Sequence, residues 1–463
     1  VYLGFLCLLL FCFGIAYFSL IWALIFGLVF GGWMVWKKRV VFGSLVLIGV
    51  VVFRVWVWMD ESYVFKNSDD GIVDIVLGTV CFEPDIRRGD VRYILCVEEG
   101  GRVLWKNSKE VIYEFGDKIE LECYLEIPFE EKAFSYKKYL KIFKVDALCD
   151  GSLLSYQEGR VSVRKFVLRW KNWMIGFFDR YLLEPVSSLM NGILFGSRRG
   201  FSEGVMDDFA RTGLTHIIAV SGYNVALVLL IVESVFRWVP RRERFFVEFF
   251  SLVLFAFLTG LSASVIRACV MGVLTLWALR AGKKASFSRV LLWCVLLMAL
   301  WNPAYLYFDI SFHLSVLATL GVVFGSKVVG FKVEEDFLGL KEAFVMTLFA
   351  QLFTTPLVLR SFDYLSLVSP LANVLVAPFL PVLMFLGVLL MIVEYVFPFG
   401  LFSWIVVWII EVLGRAFFGI VEVCSRVDFL VVELEGIDRT LLVGGYFLCF
   451  VLGMGLYSYW VES

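Results

Sequence analysis

Histidine is nearly absent, with two residues in 463, His216 and His313. So low a count excludes metal centres built from several imidazoles, and no metal or cofactor is expected. Ten cysteines are present, but none stands in a Cys-x-x-Cys pair, the spacing of structural zinc and of thioredoxin-like chemistry. No Gly-x-x-x-x-Gly-Lys loop occurs, so the chain carries no visible ATP motor. A serine hydrolase has little to work with. Ser221 sits in AVSG, which lacks the first glycine of a Gly-x-Ser-Gly intramembrane protease motif. On a continuous helix His216 would lie about 140° round from Ser221, which leaves only His313, from another span, as a base. The N-terminus has neither a basic lead nor a small-residue cleavage site, and Tyr2 onward reads as retained membrane helix.

Charge is also scarce, at 18% of residues, while 60% are hydrophobic, 17% aromatic, and mean hydropathy is +0.84. An ordinary soluble domain holds roughly 45–50% apolar residues. Only a bilayer buries so large an excess, in runs near 20 residues whose backbone groups bond within their own helix. The expected fold is a polytopic α-helical membrane protein of about ten to twelve spans, with a small all-β extracytoplasmic domain near the N-terminus.

The net charge of −1 is unevenly spread. Residues 60–160 hold 21 acidic and 14 basic side chains, net −7; the rest hold 28 basic and 22 acidic, net +6. An acidic domain is a poor general trap for phosphate backbones. A local basic patch at Lys137, Lys138, Lys141 and Lys144 is the exception. Cys81, Cys96, Cys123 and Cys149 fall in this domain, where an outward location allows disulfides whose pairing the sequence leaves open.

Four regions follow. Residues 1–59 read as a helical hairpin, the basic triplet Lys37 to Arg39, and a third span. The triplet belongs on the cytoplasmic side, which places residues 60–160 outside. There IVDIVLGTV, VRYILCV, RVLWK, EVIYEF and DKIELECYLEI read as five short strands of a small barrel. Residues 161–212 open with Arg164, Lys165, Arg169, Lys171 and Arg180 among Trp170, Trp173, Phe177 and Phe178, an amphipathic helix expected to turn its basic face to lipid headgroups, with a DNA-guiding role as the alternative. Residues 184–211 are semi-polar and are assigned no span. Residues 213–463 hold the remaining spans, near 213–237, 245–262, 264–280, 288–302, 306–326, 341–360, 367–397, 401–424 and 440–461. Alternating them puts Arg241, Arg242, Arg244, Arg280, Lys283, Lys284, Arg289, Lys327 and Lys332 on the side of Lys37 to Arg39.

Four stretches are too polar for plain lipid-facing helix, and this topology brings all four toward the outer side. In TGLTHIIAVSGYNVALV, His216, Ser221 and Asn224 interrupt an apolar span. A regular helix would place Ser221 and Asn224 about 60° apart on one face, while the Ser-Gly step favours a broken helix. Small-residue packing is the structural alternative. In TGLSASVIRACVMG, Ser264 and Arg267 open a span. A cation there opposes both the helix dipole and the positive-inside trend, so Arg267 is expected to face an aqueous path for phosphates or to pair with a carboxylate such as Asp309. In DISFHLSVLATLG, Asp309 and His313 stand one turn apart and can hydrogen-bond. The stretch from Gln351 to Pro381 carries four prolines and Asn373, a kinked or partly unwound helix.

Taken in order, GTV at Gly78 to Val80, FGDKIELECYLEIP, MNGILFGSRRG, FARTGLTHIIAVSGYNVALV, GLSASVIRACVMGVL and ISFHLSVLATLGVV resemble the ComEC family of competence proteins over nearly the whole chain. The resemblance implies an OB-type domain followed by a membrane competence domain that passes single-stranded DNA across the bacterial cytoplasmic membrane. It further implies DNA-receptor and pilus proteins outside and a helicase-like partner inside. Two departures qualify it. Many relatives carry Leu-His after the Ser-Gly where this chain has Tyr223-Asn224, so no role passes from that histidine. Many also continue into a metallo-β-lactamase-like domain, whose His-rich metal motif is lacking here. Any nuclease activity is then expected from another protein or from a longer form of the chain.

The function expected from the sequence is therefore a non-enzymatic channel for single-stranded DNA, with Arg267, Ser221, Asn224, His216, Ser264, Asp309, His313 and Asn373 as candidate path residues. A transporter of another polyanion or small solute is the alternative, and an intramembrane serine hydrolase is a third reading.

Overall fold

A barrel begins where hydrophobic residues alternate strictly. Lys118–Glu126 (β5) buries Ile119, Leu121, Cys123 and Leu125 and turns Glu120, Glu122 and Glu126 outward, the period of two that a half-buried strand requires. Val73–Val80 (β1), Val91–Val97 (β3), Arg102–Asn107 (β4) and Ala147–Gln157 (β6) join it, and the two-residue Asp85–Ile86 (β2) hangs on β3. β1 pairs antiparallel with both β3 and β5, β3 with β4, β5 with β6, and β4 runs parallel to β6. Those pairings close a five-stranded circuit, the arrangement of an OB-type barrel. The computed structural model describes residues 73–427 and 431–433, with positions 443, 444 and 446, apart from short gaps at 88, 99, 108–111, 127, 129–135, 198, 219, 283–286, 329–339, 363 and 398–399. The spans expected before Asp60 lie outside the described residues, as does nearly all of the one expected at 440–461.

One expected strand is corrected. Ile112 to Phe115 of EVIYEF form no strand, and Ala147–Gln157 supplies the fifth. The buried Tyr113 ring explains the difference, because its backbone N–H donates to the Tyr93 hydroxyl at 3.1 Å instead of to a neighbouring strand. β6 can cross β5 closely because residue 151 is glycine; a Cβ there would meet the Glu122 carbonyl oxygen at 2.0 Å. Tyr93, Trp105 and Tyr113 fill the barrel core.

The barrel is cross-linked twice, Cys81 to Cys96 and Cys123 to Cys149, which settles the pairing left open above and is consistent with an extracytoplasmic location. Replacing Cys123 and Cys149 by alanine is expected to lower barrel stability by about 3 kcal/mol, the loop-closure contribution of such a link. Thermal unfolding of the two forms, with and without reductant, measures it.

A short helix, Tyr136–Ile142 (α1), lies between β5 and β6. With the loop after it, α1 covers the outer face of β3 and β4, where Leu140 and Val145 pack against Leu104, Ile94 and Leu148. In OB-type barrels that face is a usual oligonucleotide platform. Here much of it is occupied by the chain itself.

After the barrel the chain is helical: Val163–Tyr181 (α2), Val186–Phe195 (α3), Glu203–Arg211 (α4), Thr215–Ile218 (α5), Gly222–Val235 (α6), Arg241–Leu258 (α7), Ala263–Arg280 (α8), Phe287–Trp301 (α9), Ala304–Phe308 (α10), Ile310–Val328 (α11), Leu340–Ser361 (α12), Ser369–Val376 (α13), Phe379–Val396 (α14) and Leu401–Ser425 (α15). Tyr364–Ser366 (β7) pairs antiparallel with the distant Val431–Glu433 (β8). Four described segments are long and apolar enough to cross a membrane: Ala263–Arg280, Phe344–Ser361, Ser369–Val396 and Leu401–Ser425. Val186–Phe195, Gly222–Val235, Arg289–Trp301 and Ile310–Ser326 are shorter apolar helices. The protein is thus a polytopic helical membrane protein with a small β-barrel.

The semi-polar segment assigned no span forms α3 and α4. All ten residues of α3 are buried, at the centre of the largest apolar cluster. Glycines make room for it: a Cβ on Gly387 would meet Met190 Cε at 2.5 Å, and one on Gly414 would meet Val186 Cγ1 at 2.6 Å.

Basic residues at the start of α7 and the end of α8 lie together, while Lys37 to Arg39, whose side they are expected to share, lie outside the described residues. The Arg280 guanidinium, at the end of α8, lies 4.8 Å from the Phe245 ring centroid near the start of α7, and Arg244 pairs with Glu233 of α6 at 2.9 Å. The opposite ends of α7 and α8 meet in the turn at Gly260, beneath the barrel.

Candidate functional site

The helix expected across His216 to Asn224 is broken. α5 stops at Ile218 and α6 starts at Gly222, with Ser221 as an extended N-cap at φ −108° and ψ 171°. The helical angles relating Ser221 to His216 and Asn224 therefore do not apply. Asn224 is buried, and its amide donates to the Ile193 carbonyl at 3.0 Å, at the end of α3. Ser221 is half-buried, while Gly222 and Tyr223 are exposed. Neither histidine is hydrogen-bonded to Ser221.

Two polar clusters form from the remaining candidates. His216 is exposed; its Nδ1 shares a hydrogen bond with the Gly213 carbonyl at 3.0 Å, and the Asn373 side chain lies near its ring. Asn373 in turn donates to Thr347 Oγ1 at 3.3 Å, and Gln351 donates to the Ser366 carbonyl at 2.8 Å. Gly213 lies close against Ser366 and Ser369 at a positive φ of 71°. The Gln351 Oε1 and Ser366 Oγ atoms are buried without a hydrogen-bond partner, a costly state unless something else supplies one.

The second cluster surrounds Arg267, only 3% exposed. Its guanidinium donates to the Phe312 carbonyl and to Ser264 Oγ, each at 3.4 Å, and lies 5.8 Å from the Phe312 ring centroid. No described carboxylate is within ion-pair distance of it. Asp309 is buried nearby, but its Oδ1 accepts from the Phe312 N–H at 3.2 Å, capping α11, and forms no ion pair with Arg267. His313 Nε2 bonds the Leu306 carbonyl at 2.8 Å. The side-chain Asp309–His313 hydrogen bond that their spacing allows is not formed.

Both clusters lie on one closed circuit of helices. α6 packs on α8, α8 on α11, α11 on α12 and α12 on α13, and Gly213, just before α5, lies close against Ser369 of α13. The prolines serve this circuit: Pro370 starts α13, Pro378 caps α14, and Pro356 interrupts the bonding inside α12.

The barrel is seated over the ends of these helices. Asn302 donates to the Ile142 carbonyl at 3.2 Å, α1 packs on α10, and Lys141 lies 5.6 Å from the Phe308 ring centroid. α2 does not present its basic face to lipid, as the sequence led one to expect. Lys165 and Lys171 are buried against the barrel, and Arg169 pairs with Glu114 at 2.7 Å and Glu158 at 2.8 Å. The acidic surplus of the barrel explains this, since its carboxylates neutralise the helix. Phe166, Trp170 and Trp173 are turned outward instead, suited to a membrane boundary.

Asp117 is the hub of that seat. Its carboxylate accepts from Lys165 Nζ at 2.7 Å, the Gly159 N–H at 3.0 Å, the Glu114 N–H at 2.8 Å and the Tyr156 hydroxyl at 3.2 Å. Burial alone raises a carboxyl's pKa, but the bonds from Lys165, Gly159 and Glu114 prevail and hold Asp117 below its ordinary value. Burial likewise opposes the Lys165 ammonium, and the bond to Asp117 outweighs it, raising the pKa. Asp117 and Glu83 are absent from the candidates drawn from the sequence, where Lys165 and Lys171 figure only as part of a basic helix face. Their only sequence signal is the charge complement between an acidic domain and a basic helix.

Among the described residues no group of three or more His, Cys, Asp or Glu side chains is placed to hold a metal ion. The family model described as Competence protein matches residues 193–458, more than half of the chain. The chain belongs to the competence protein family. Both polar clusters fall inside the matched competence region, and the barrel precedes it. The chain is similar to "ComE operon protein 3" of Bacillus subtilis (strain 168), 26% identical over 315 residues, covering 64% of this chain and 39% of that protein. It is also similar to an "Uncharacterized protein" of Aquifex aeolicus (strain VF5), 33% identical over 234 residues, covering 48% of this chain and 52% of that one. The matches thus span about two fifths to one half of these relatives. No solved structure matches.

Proposed function

We propose that the chain is the conduit by which one strand of DNA crosses the bacterial cytoplasmic membrane during natural transformation. The observation that carries this reading is Arg267, a cation sealed beneath the barrel with no described carboxylate within ion-pair distance. Taking an unpaired charge out of water costs several kcal/mol, and a site that bears such a cost is suited to an anion that arrives from elsewhere. Strand phosphates are that anion in a competence protein. The closed circuit of helices supplies the wall, with His216 and Asn373 on one side and Arg267 with Ser264 on the other. In the present conformation the guanidinium is covered, so passage requires α8 and α11 to part. Ser221, Tyr223 and the backbone freed at the α5–α6 break supply polar groups at the same level, while Asn224, Asp309 and His313 brace the helix ends.

The conduit is passive and carries no catalytic residue in this reading. Ser221 without a bonded histidine favours it over a serine hydrolase. Lipid, outer DNA-receptor and pilus proteins, and an inner helicase-like motor are its proposed partners. The test is transformation frequency in a strain deleted for the gene and complemented with the chain, with a small-solute uptake assay alongside. Restored transformation with unchanged solute uptake supports the conduit. Unchanged transformation after deletion rejects it.

A further inference from the structure

Between the barrel and the helices lies a cation cluster already holding an anion of the protein's own. Glu83 sits in the loop between β1 and β3, which in an OB-type barrel borders the ligand face. Its carboxylate pairs with Lys171 Nζ at 2.8 Å and 3.0 Å, and Lys171 is buried. Gly260 makes the seat: φ is +81°, and a Cβ there would lie 2.9 Å from Glu83 Oε2. That glycine opens the turn into α8, the helix that carries Arg267. Arg164 and Arg199 also fall within electrostatic reach of the same carboxylate. Arg164 stacks 4.5 Å from the Phe115 ring centroid and approaches the Phe82 ring at 5.9 Å. Arg199 is half-buried, is reached electrostatically by Asp179 and Asp85 as well, has no described carboxylate within ion-pair distance, and lines an adjoining cavity of about 510 Å³ with Arg87, Glu184, Gly200 and Ser202.

Three cations thus converge on one carboxylate beside an open cavity, on a domain that is otherwise acidic. A structural ion pair requires one partner, and among the described residues neither Arg164 nor Arg199 forms an ion pair of its own. We infer that Lys171, Arg199 and Arg164 form an anion subsite for a backbone phosphate of the incoming single strand, which Glu83 occupies as an internal stand-in until the strand displaces it. This inference rests on the conduit reading. It adds a first docking point outside the membrane and a reason for the entrance to stay shut when no strand is present, since the loop bearing Glu83 lies over the turn into α8.

The test uses the full chain in zwitterionic-lipid nanodiscs and a fluorescent single-stranded oligodeoxynucleotide. Glu83→Gln keeps the shape of the side chain and frees the cations, so affinity is expected to rise about tenfold, the worth of one charge-assisted contact. The salt dependence should steepen by about 0.7 in slope for each phosphate newly engaged. Glu83→Gln combined with Lys171→Gln should lose that gain. Because Glu83→Gln strands a buried ammonium, thermal midpoints are read as well. Added oligonucleotide should raise the midpoint of Glu83→Gln more than that of the native chain, which a merely structural pair does not do. Unchanged or weaker binding by Glu83→Gln overturns the inference, as does a gain that appears only with vesicles containing anionic lipid. The two claims part cleanly. Unchanged affinity in a Glu83→Gln chain that still restores transformation sinks the subsite alone. Tighter binding in a chain that does not restore transformation keeps the subsite and sinks the conduit.

Discussion

Arg267→Ala leaves the protein inserted and folded but lowers uptake of labelled DNA about 100-fold, the loss of two charge-assisted hydrogen bonds to phosphate at roughly 1.5 kcal/mol each. Folding should survive for a physical reason. Removing one member of a buried ion pair strands its partner, but Arg267 has no such partner among the described residues, and only two 3.4 Å hydrogen bonds are lost. Stability is therefore expected to stay level or to rise, the opposite of what a structural arginine would show. Arg267→Lys keeps the charge without the planar fork and should fall between the two. The measurement pairs uptake with quantitation of membrane-inserted protein. Full uptake by Arg267→Ala, or uptake that falls only in proportion to lost protein, removes Arg267 from the path.

Asp117→Asn is expected to loosen the barrel from the helices at a cost of about 3 kcal/mol, the low end for breaking a buried ion pair. The low end applies because Glu114 and Glu158 still face Lys165, at 3.4 Å and 3.7 Å. Protease accessibility of the segment joining Gln157 to Ser162 reads the loosening. Acid should mimic the substitution. A carboxyl held below its ordinary value contributes stability above that value, and the contribution is lost as pH falls through the folded pKa. Lys165, held above its ordinary value, contributes fully below that value and loses it only as pH rises through the folded pKa. The seat thus holds through neutrality and is lost toward strong acid through Asp117 and toward strong base through Lys165. Equal protease sensitivity in Asp117→Asn and the native chain would show that the barrel is held elsewhere.

What could be read from sequence follows from how local each feature is. The break before Gly222 and the starts of α13 and α14 at prolines are written in single residues, and they lie where the local chemistry places them. The alternation in β3 and β5 is equally local. β6 escaped notice because Asp150, Gly151 and Ser152 interrupt its apolar pattern, and only the partner strands make a ladder of it. α3 escaped because ten residues are too short for a span; its burial comes from glycines on α14 and α15 some 200 residues away. The same distance hides the charge partners. Nothing near Lys171 announces that its counter-ion stands 88 positions earlier, so a basic face that looked suited to headgroups is consumed within the protein.

The outward indoles of α2 have a mechanical consequence. Trp170 and Trp173 project from the helix whose other side grips the barrel through Lys165 and Lys171. The elevation of the cap above the acyl chains is accordingly pinned by two aromatic floats. Lifting it straight up would drag both rings through the carbonyl layer of the lipids. A sideways tilt about the short tether after Gln157 leaves them at their preferred depth, so on the proposed conduit reading the cap would swing rather than rise.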